Sequence, residues 1–299
     1  MYTNELDALK RENDAVVLAH YYVDAEVQAA ADFIGDSFFL AKKATTIPQS
    51  TIVMAGVNFM GETMKILNPD KTVYLPDAEA DCPMAHMVTV DAIRAMRDKY
   101  DDLAVICYVN STAEIKAHSD YCCTSSNAEK IVASVPETHI FFVPDQNLGQ
   151  YIAAKFPEKQ FHFHEGFCPV HHRIRAEQIA QLKKNHPDAA IFAHPECRPE
   201  VLVLADYKGS TSGILDAVGE RDRAVNIIVT EGGIAAELEK RYPEKTFVFP
   251  EMLCEGMKRV NLKGIIRALR EGGDGIAIDP ELARRAKRPL DRMLEITAK

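Results

Sequence analysis

Three cysteines constrain this 299-residue chain more than any other feature: Cys82, Cys168 and Cys254 stand 86 residues apart, twice over. Each closes a similar phrase, reading KTVYLPDAEADC at 71 to 82, KQFHFHEGFC at 159 to 168 and KTFVFPEMLC at 245 to 254. Each phrase reads as a strand running into a loop that ends in a thiol. Seven cysteines make many triples, so the spacing defines an architecture only if other landmarks recur at the same offset.

They do recur. DAVVLAH at 14 to 20, LAVICYVN at 103 to 110 and AAIFAHPE at 189 to 196 are apolar runs with polar ends, the pattern of buried parallel strands. They deliver His20, Tyr108 and His194, and two residues further on Tyr22, Asn110 and Glu196. Alternate positions past a strand end face the same side, so these six polar groups are expected to look into one space. A second marker follows in ADFIGDS, SDYCCTS and ADYKGST, which repeats an aspartate and an aromatic residue. It sets Ser37, Ser125 and Thr211 in register before helix-like segments, where a hydroxyl reads as an N-cap or, in threefold register, as a ligand contact. Apolar runs TIVMAG, THIFFVP and NIIVT come next, then the cysteine phrases and amphipathic stretches.

The pattern predicts an α/β protein of three homologous three-layer units, each with a parallel sheet of three strands alternating with helices, set around a pseudo-threefold axis. The units are expected at residues 1–101, 102–188 and 189–272. The tail, 273–299, has Asp279 as a cap and Pro280 at the first helical position, and is expected to pack back on a domain.

The net charge of −9, with no dense lysine or arginine block, argues against a nucleic-acid partner. No apolar run approaches the roughly 18 residues of a spanning helix, and MYTNELDALKREND is too polar for a secretory signal. A cytoplasmic location without a membrane partner is the expectation. Seven cysteines, an odd number without short spacings, point to reduced thiols or metal ligands rather than a disulfide framework. Cys107, Cys122 and Cys123 read as packing, Cys197 as packing or support of the site, and His171 as a neighbour of the cysteine ligands. His162, His164 and His172 receive no role.

Parallel sheets bind ligands outside the carboxyl ends of their strands, and every marked residue sits at such an end. Three converging thiolates could hold zinc, but a closed zinc site wants four ligands, commonly from C-x-x-C pairs, and none of the three has such a neighbour. A 4Fe-4S cluster on three cysteines keeps one iron open as a Lewis acid, which fits the lone-cysteine pattern best.

LAHYY with DFIGDS, GVNFMGET-KILNP, DCPMA, YVNST, TSSNA, PDQNLG, FCPVH, HPEC, GSTSG and PEMLC-x-x-MK together resemble the quinolinate synthase family over essentially the whole chain. The resemblance implies three α/β domains about a pseudo-threefold axis, with a central 4Fe-4S cluster held by Cys82, Cys168 and Cys254. It implies condensation of iminoaspartate with dihydroxyacetone phosphate to quinolinate, phosphate and water in de novo NAD synthesis, coupled to an enzyme that produces iminoaspartate. Under it, His20, Ser37, Tyr108, Asn110, Ser125, His194, Glu196 and Thr211 bind the anionic substrates. Tyr22, His20, Tyr108, His194 and Glu196 supply acid and base groups, with Glu196 and Tyr22 as the main proton carriers. Two other readings compete: another 4Fe-4S hydro-lyase acting on a small carboxylic acid, and an iron-sulfur redox sensor. Some relatives carry extra cysteines just after the third ligand; CEGMKRV has none, so no regulatory disulfide is expected there.

Overall fold

The computed structural model describes residues 2–273 and 275–298. Its frame is three four-stranded sheets, every strand pair parallel. The first holds β1 (Ala15–His20), β2 (Phe33–Gly35), β3 (Thr51–Ala55) and β4 (Thr72–Tyr74). The second holds β5 (Leu103–Tyr108), β6 (Tyr121–Cys123), β7 (His139–Val143) and β8 (Gln160–Phe163). The third holds β9 (Ala190–Ala193), β10 (Tyr207–Lys208), β11 (Val225–Val229) and β12 (Thr246–Val248). All three share one strand order, second-first-third-fourth.

Both faces of each sheet are covered, which is why the leading strands are continuously apolar. In the third sheet Ile191, Ala193, Ile227 and Val229 pack into one cluster, while Ala190, Phe192 and Ile228 pack with Ile214, Leu215, Val218 and Leu238 into another. This is the period of two that a strand imposes, with both sets buried.

The structure adds one strand per unit to the three expected. The second marker of each repeat contains a short edge strand, β2, β6 or β10, of only two or three residues. So short a strand has no alternation to betray it. What holds it is the recurring aspartate: Asp32, Asp120 and Asp206 each accept a hydrogen bond from the backbone N–H of Val17, Val105 and Ile191, at 2.8 Å in every case. The aspartates of the repeat are therefore staples between neighbouring strands.

The helix after each fourth strand packs onto the next unit. Val90–Lys99 lies against β5, and Ala176–Asn185 against the short helix Pro199–Leu202. The last of the three, Leu262–Glu271, has no following unit and lies instead on the first, against β3 and the helices Tyr2–Glu12 and Ala25–Ala30. The ring of units is thus closed by its own chain. A terminal helix, Pro280–Ala298, starts where Asp279 accepts from the N–H of Leu282 at 2.9 Å, and buries Ala286, Leu290 and Met293. It crosses from the helix Asn58–Leu67 to the helices Ala113–Ala117 and Ala128–Ser134 beside β6. No helix among the described residues is long and apolar enough to cross a membrane.

Candidate active site

The strand ends converge on one cavity containing about 650 Å³ of non-protein space, part of it open to solvent. All twelve residues singled out from the repeat line it. Each unit contributes a leading-strand pair, His20 with Tyr22, Tyr108 with Asn110, His194 with Glu196; a hydroxyl, Ser37, Ser125 or Thr211; and a cysteine, Cys82, Cys168 or Cys254.

The three hydroxyls are not helix caps. Asp36 caps the helix Ser37–Ala44 by accepting from Phe39 N at 2.9 Å, and Ser210 caps Thr211–Glu220 by accepting from Gly213 N at 3.1 Å. In the second unit the helix Ala128–Ser134 starts later, with Asn127 at its N-cap and Asn127 Oδ1 accepting from Thr124 N at 2.7 Å, so Ser125 lies in the turn before it. In the first and third units the preceding residue caps the helix, and in all three the hydroxyl is free to face the cavity. Thr211 then meets Tyr22 at 2.8 Å and Ser125 meets Nε2 of His194 at 3.1 Å.

His20 and His194 are held in one tautomer by their own strand ends. In each the ring Nδ1 accepts from a backbone N–H two residues on, Tyr22 N at 3.2 Å and Glu196 N at 3.3 Å. The ring proton is therefore on Nε2. Burial pushes both imidazoles down to about 3 against the pull of Glu196, so at neutral pH they are uncharged N–H donors.

A chain of hydrogen bonds joins the first and third units. Tyr22 Oη bonds Thr211 and Thr230, each at 2.8 Å; Thr230 bonds Nε2 of His171 at 2.9 Å; and Nδ1 of His171 lies 2.8 Å from the Glu196 carboxylate. One consistent set of directions has Tyr22 donating to Thr230, Thr230 to His171, and His171 to Glu196. Burial alone would raise the Glu196 carboxyl, but His194, His171 and the hydrogen bonds from His171 and Tyr108 outweigh it and hold it near 2. Burial drives the Tyr22 and Tyr108 phenols well above their ordinary range, and Glu196 pushes them further. The chain thus runs from a phenol that keeps its proton to a carboxylate that has lost one.

Each cysteine directly precedes a short helical turn, Pro83–His86, Pro169–His172 or Glu255–Lys258. Backbone N–H groups of those turns point back at the sulfurs: Ala85 and Met84 at Cys82, His171 at Cys168, Met257 and Gly256 at Cys254. The sulfurs also feel one another, Cys82 repelling both Cys254 and Cys168. Burial pushes the Cys82 thiol up to about 12 and raises the other two, so among themselves they are protonated. Donors aimed at sulfur reward thiolates, and a bound cation would supply the missing charge. The residues therefore fit a metal centre held by three thiolates. Cys168, His171 and Glu196 also bring ligand atoms within 4.8 Å of one another. Cys107, Cys122, Cys123 and Cys197 are fully buried and lie outside the cavity lining.

The sequence reading missed three participants. Asp145 and Glu231, both fully buried, accept the backbone N–H of Cys168 at 2.9 Å and of Cys254 at 3.2 Å. The signal was available: each stands 23 residues before its cysteine. In the first unit Val57 occupies the equivalent place, preceding Asn58, whose N–H bonds Ala80 O as Gly232 N bonds Met252 O. Thr230 has no such signal, since Gly56 and Pro144 stand at its counterparts. The EGG stretch at 231 to 233 is a close approach: a Cβ on Gly233 would lie 2.7 Å from the Tyr22 backbone. His171 stands against the cysteine ligand as expected, 3.2 Å from Cys168 Sγ.

A family model described as Quinolinate synthetase A protein matches residues 4–295. A quinolinate synthase of Fusobacterium nucleatum is 50% identical over 294 residues, covering 98% of each chain. Quinolinate synthase 2 of Methanosarcina acetivorans is 44% identical over 99% of this chain and 96% of its own. A quinolinate synthase of Caldicellulosiruptor bescii is 44% identical over 98% of this chain and 97% of its own. With the match spanning every element that builds the cavity, the chain belongs to the quinolinate synthetase A family of enzymes.

Proposed function

We propose that this enzyme condenses iminoaspartate with dihydroxyacetone phosphate to give one quinolinate, one phosphate and two waters. The observation that carries the reading is the cavity itself: twelve residues picked by register alone form one wall of donors, acceptors and thiols. Cys82, Cys168 and Cys254 would hold a 4Fe-4S cluster, which when bound supplies an open iron acting as a Lewis acid toward substrate nitrogen or oxygen.

The chain's own residues have legible tasks. The uncharged Nε2–H groups of His20 and His194 and the hydroxyls of Ser37, Ser125 and Thr211 hold carboxylate and phosphate oxygens, which is how an acidic protein takes anionic substrates. Asn110 Oδ1 is buried and has no partner in the protein among the described residues; it accepts a hydrogen bond from bound substrate. Glu196, already ionised, takes the proton that leaves carbon as the new bond forms. Tyr22, still protonated, delivers a proton to a departing hydroxyl, which leaves as water. For the proton on Glu196 to return to Tyr22 along this chain, every hydrogen bond in it reverses. The His171 ring proton moves from Nδ1 to Nε2 by exchange with solvent; Glu196 then donates to Nδ1, His171 to Thr230 and Thr230 to Tyr22, and the cycle balances.

The same reading places the protein in the cytoplasm beside an enzyme that produces iminoaspartate, whose imine hydrolyses readily. It divides the chain into units at about residues 101 and 188, with the third ending near 272. The deciding experiment is a strictly anaerobic assay of iron-reconstituted protein given both substrates, with quinolinate detected by mass spectrometry. Product is expected, and is expected to vanish in Cys168→Ala. No product from protein carrying a full cluster would overturn the reading and favour a different hydro-lyase.

A further inference from the structure

A second cavity lies on the outer side of the middle unit, away from the cysteines. It contains about 660 Å³ of non-protein space, part of it open to solvent, and is lined by Arg97, Arg285, Arg288 and Arg292 with His118 and Asp120. Four guanidinium groups in one recess are unexpected in a chain of net charge −9.

Arg97 has a structural explanation. It pairs with Asp120 at 2.8 Å as Lys10 pairs with Asp32 at 2.7 Å, so it belongs to the repeat. The other three lie on the terminal helix, which the repeat lacks, at spacings of three and four that put them on one face. Other cations of that helix have carboxylates: Arg284 with Glu281 and Lys287 with Asp291. Arg285, Arg288 and Arg292 have none within 4 Å among the described residues. Arg285 donates to Ala117 O and His118 Nε2, and Arg292 to Asp120 O, which points their forks at the recess without neutralising them. The one lining carboxylate, Asp120, is already taken by Arg97 and Val105 N.

We propose that this recess binds a small anion carrying two linked phosphates, either inorganic pyrophosphate or the diphosphate of a nucleotide. Fork-shaped guanidinium groups match phosphate oxygens in pairs, and three unneutralised ones suit a multivalent anion better than a single carboxylate. The recess is concave and sized for a small molecule rather than for the long track that a polynucleotide needs.

Calorimetric titration at low ionic strength tests this with pyrophosphate and with a nucleoside diphosphate as probes. Two classes of site are expected in the unaltered protein, because the central cavity also receives phosphate groups. Arg288 is exposed and donates no hydrogen bond within the protein among the described residues, so Arg288→Glu and Arg288→Gln should leave the thermal midpoint unchanged. Each should weaken one class by roughly tenfold or more, Glu more than Gln, while Thr211→Val weakens the other. Tighter binding of the nucleotide would assign the site to nucleotides, and preference for pyrophosphate to the inorganic anion. A single class of site untouched by both Arg288 variants would overturn the proposal. So would binding of polynucleotide or anionic vesicles, but of neither small probe, that Arg288→Glu abolishes.

Discussion

The first and third units end their leading strands with the same imidazole in the same backbone setting, and part company two residues later. His20 leads to Tyr22, a phenol driven above its ordinary range; His194 leads to Glu196, a carboxyl held near 2. The repeated backbone gives both units the same reach into the cavity. The residue choice gives them opposite polarity. A symmetric scaffold thereby presents one pole that keeps its proton and one that has lost it, joined through Thr230 and His171. The middle unit presents instead Tyr108, which hydrogen-bonds Glu196, and Asn110, whose buried Oδ1 has no partner among the described residues.

The sharpest way to break this contrast is to remove either pole. Tyr22→Phe and Glu196→Gln should each lower kcat by about 100- to 10,000-fold. If the two poles act on one proton path, the double variant should be little worse than the poorer single one in steady-state assays. Effects that multiply would mean two independent paths.

Next in size is the support behind the cysteines. Asp145→Ala leaves the buried N–H groups of Cys168 and Leu148 without an acceptor, costing about 2–3 kcal/mol in chemical denaturation. Val57→Ala, at the matching place of the first unit, removes two methyl groups and should cost about 1–2 kcal/mol. Equal costs would show that the carboxylate is idle.

Thr230→Val keeps both poles and cuts the link. We expect kcat to fall roughly tenfold with KM unchanged, because substrate contacts survive.

The smallest effect tests whether the two imidazoles are as alike as their geometry. Burial holds them near 3, while the unfolded chain protonates at its ordinary 6.5. Between those values the unfolded state binds more protons, so each imidazole makes stability fall as pH falls. His194→Gln should therefore remove about 1 kcal/mol of the stability lost between pH 6 and pH 5, and His20→Gln a similar amount. An unchanged slope in either variant would mean that ring is protonated in the fold.

Much of this was legible beforehand because register is a strong signal. Offsets of 88 and 86 residues across strand ends and hydroxyls, beside the even 86 of the thiols, located twelve of the groups that line the cavity. What escaped was whatever breaks the pattern or falls below its resolution. Thr230 has no counterpart in the other units. The edge strands are too short to alternate. Ser37, Ser125 and Thr211 looked like caps because the true caps, Asp36 and Ser210, stand one residue earlier. Glu231 hid inside a glycine-rich turn.

The ring closure has a consequence in time. A chain leaves the ribosome from its amino end, and domains tend to fold as they emerge. The first unit, however, is covered on one flank by Leu262–Glu271 and on the other by Pro280–Ala298. Both flanks stay bare until residues 262–298 have been made. A unit made early is thus finished late, and the cavity lacks its third cysteine until residue 254 has been made.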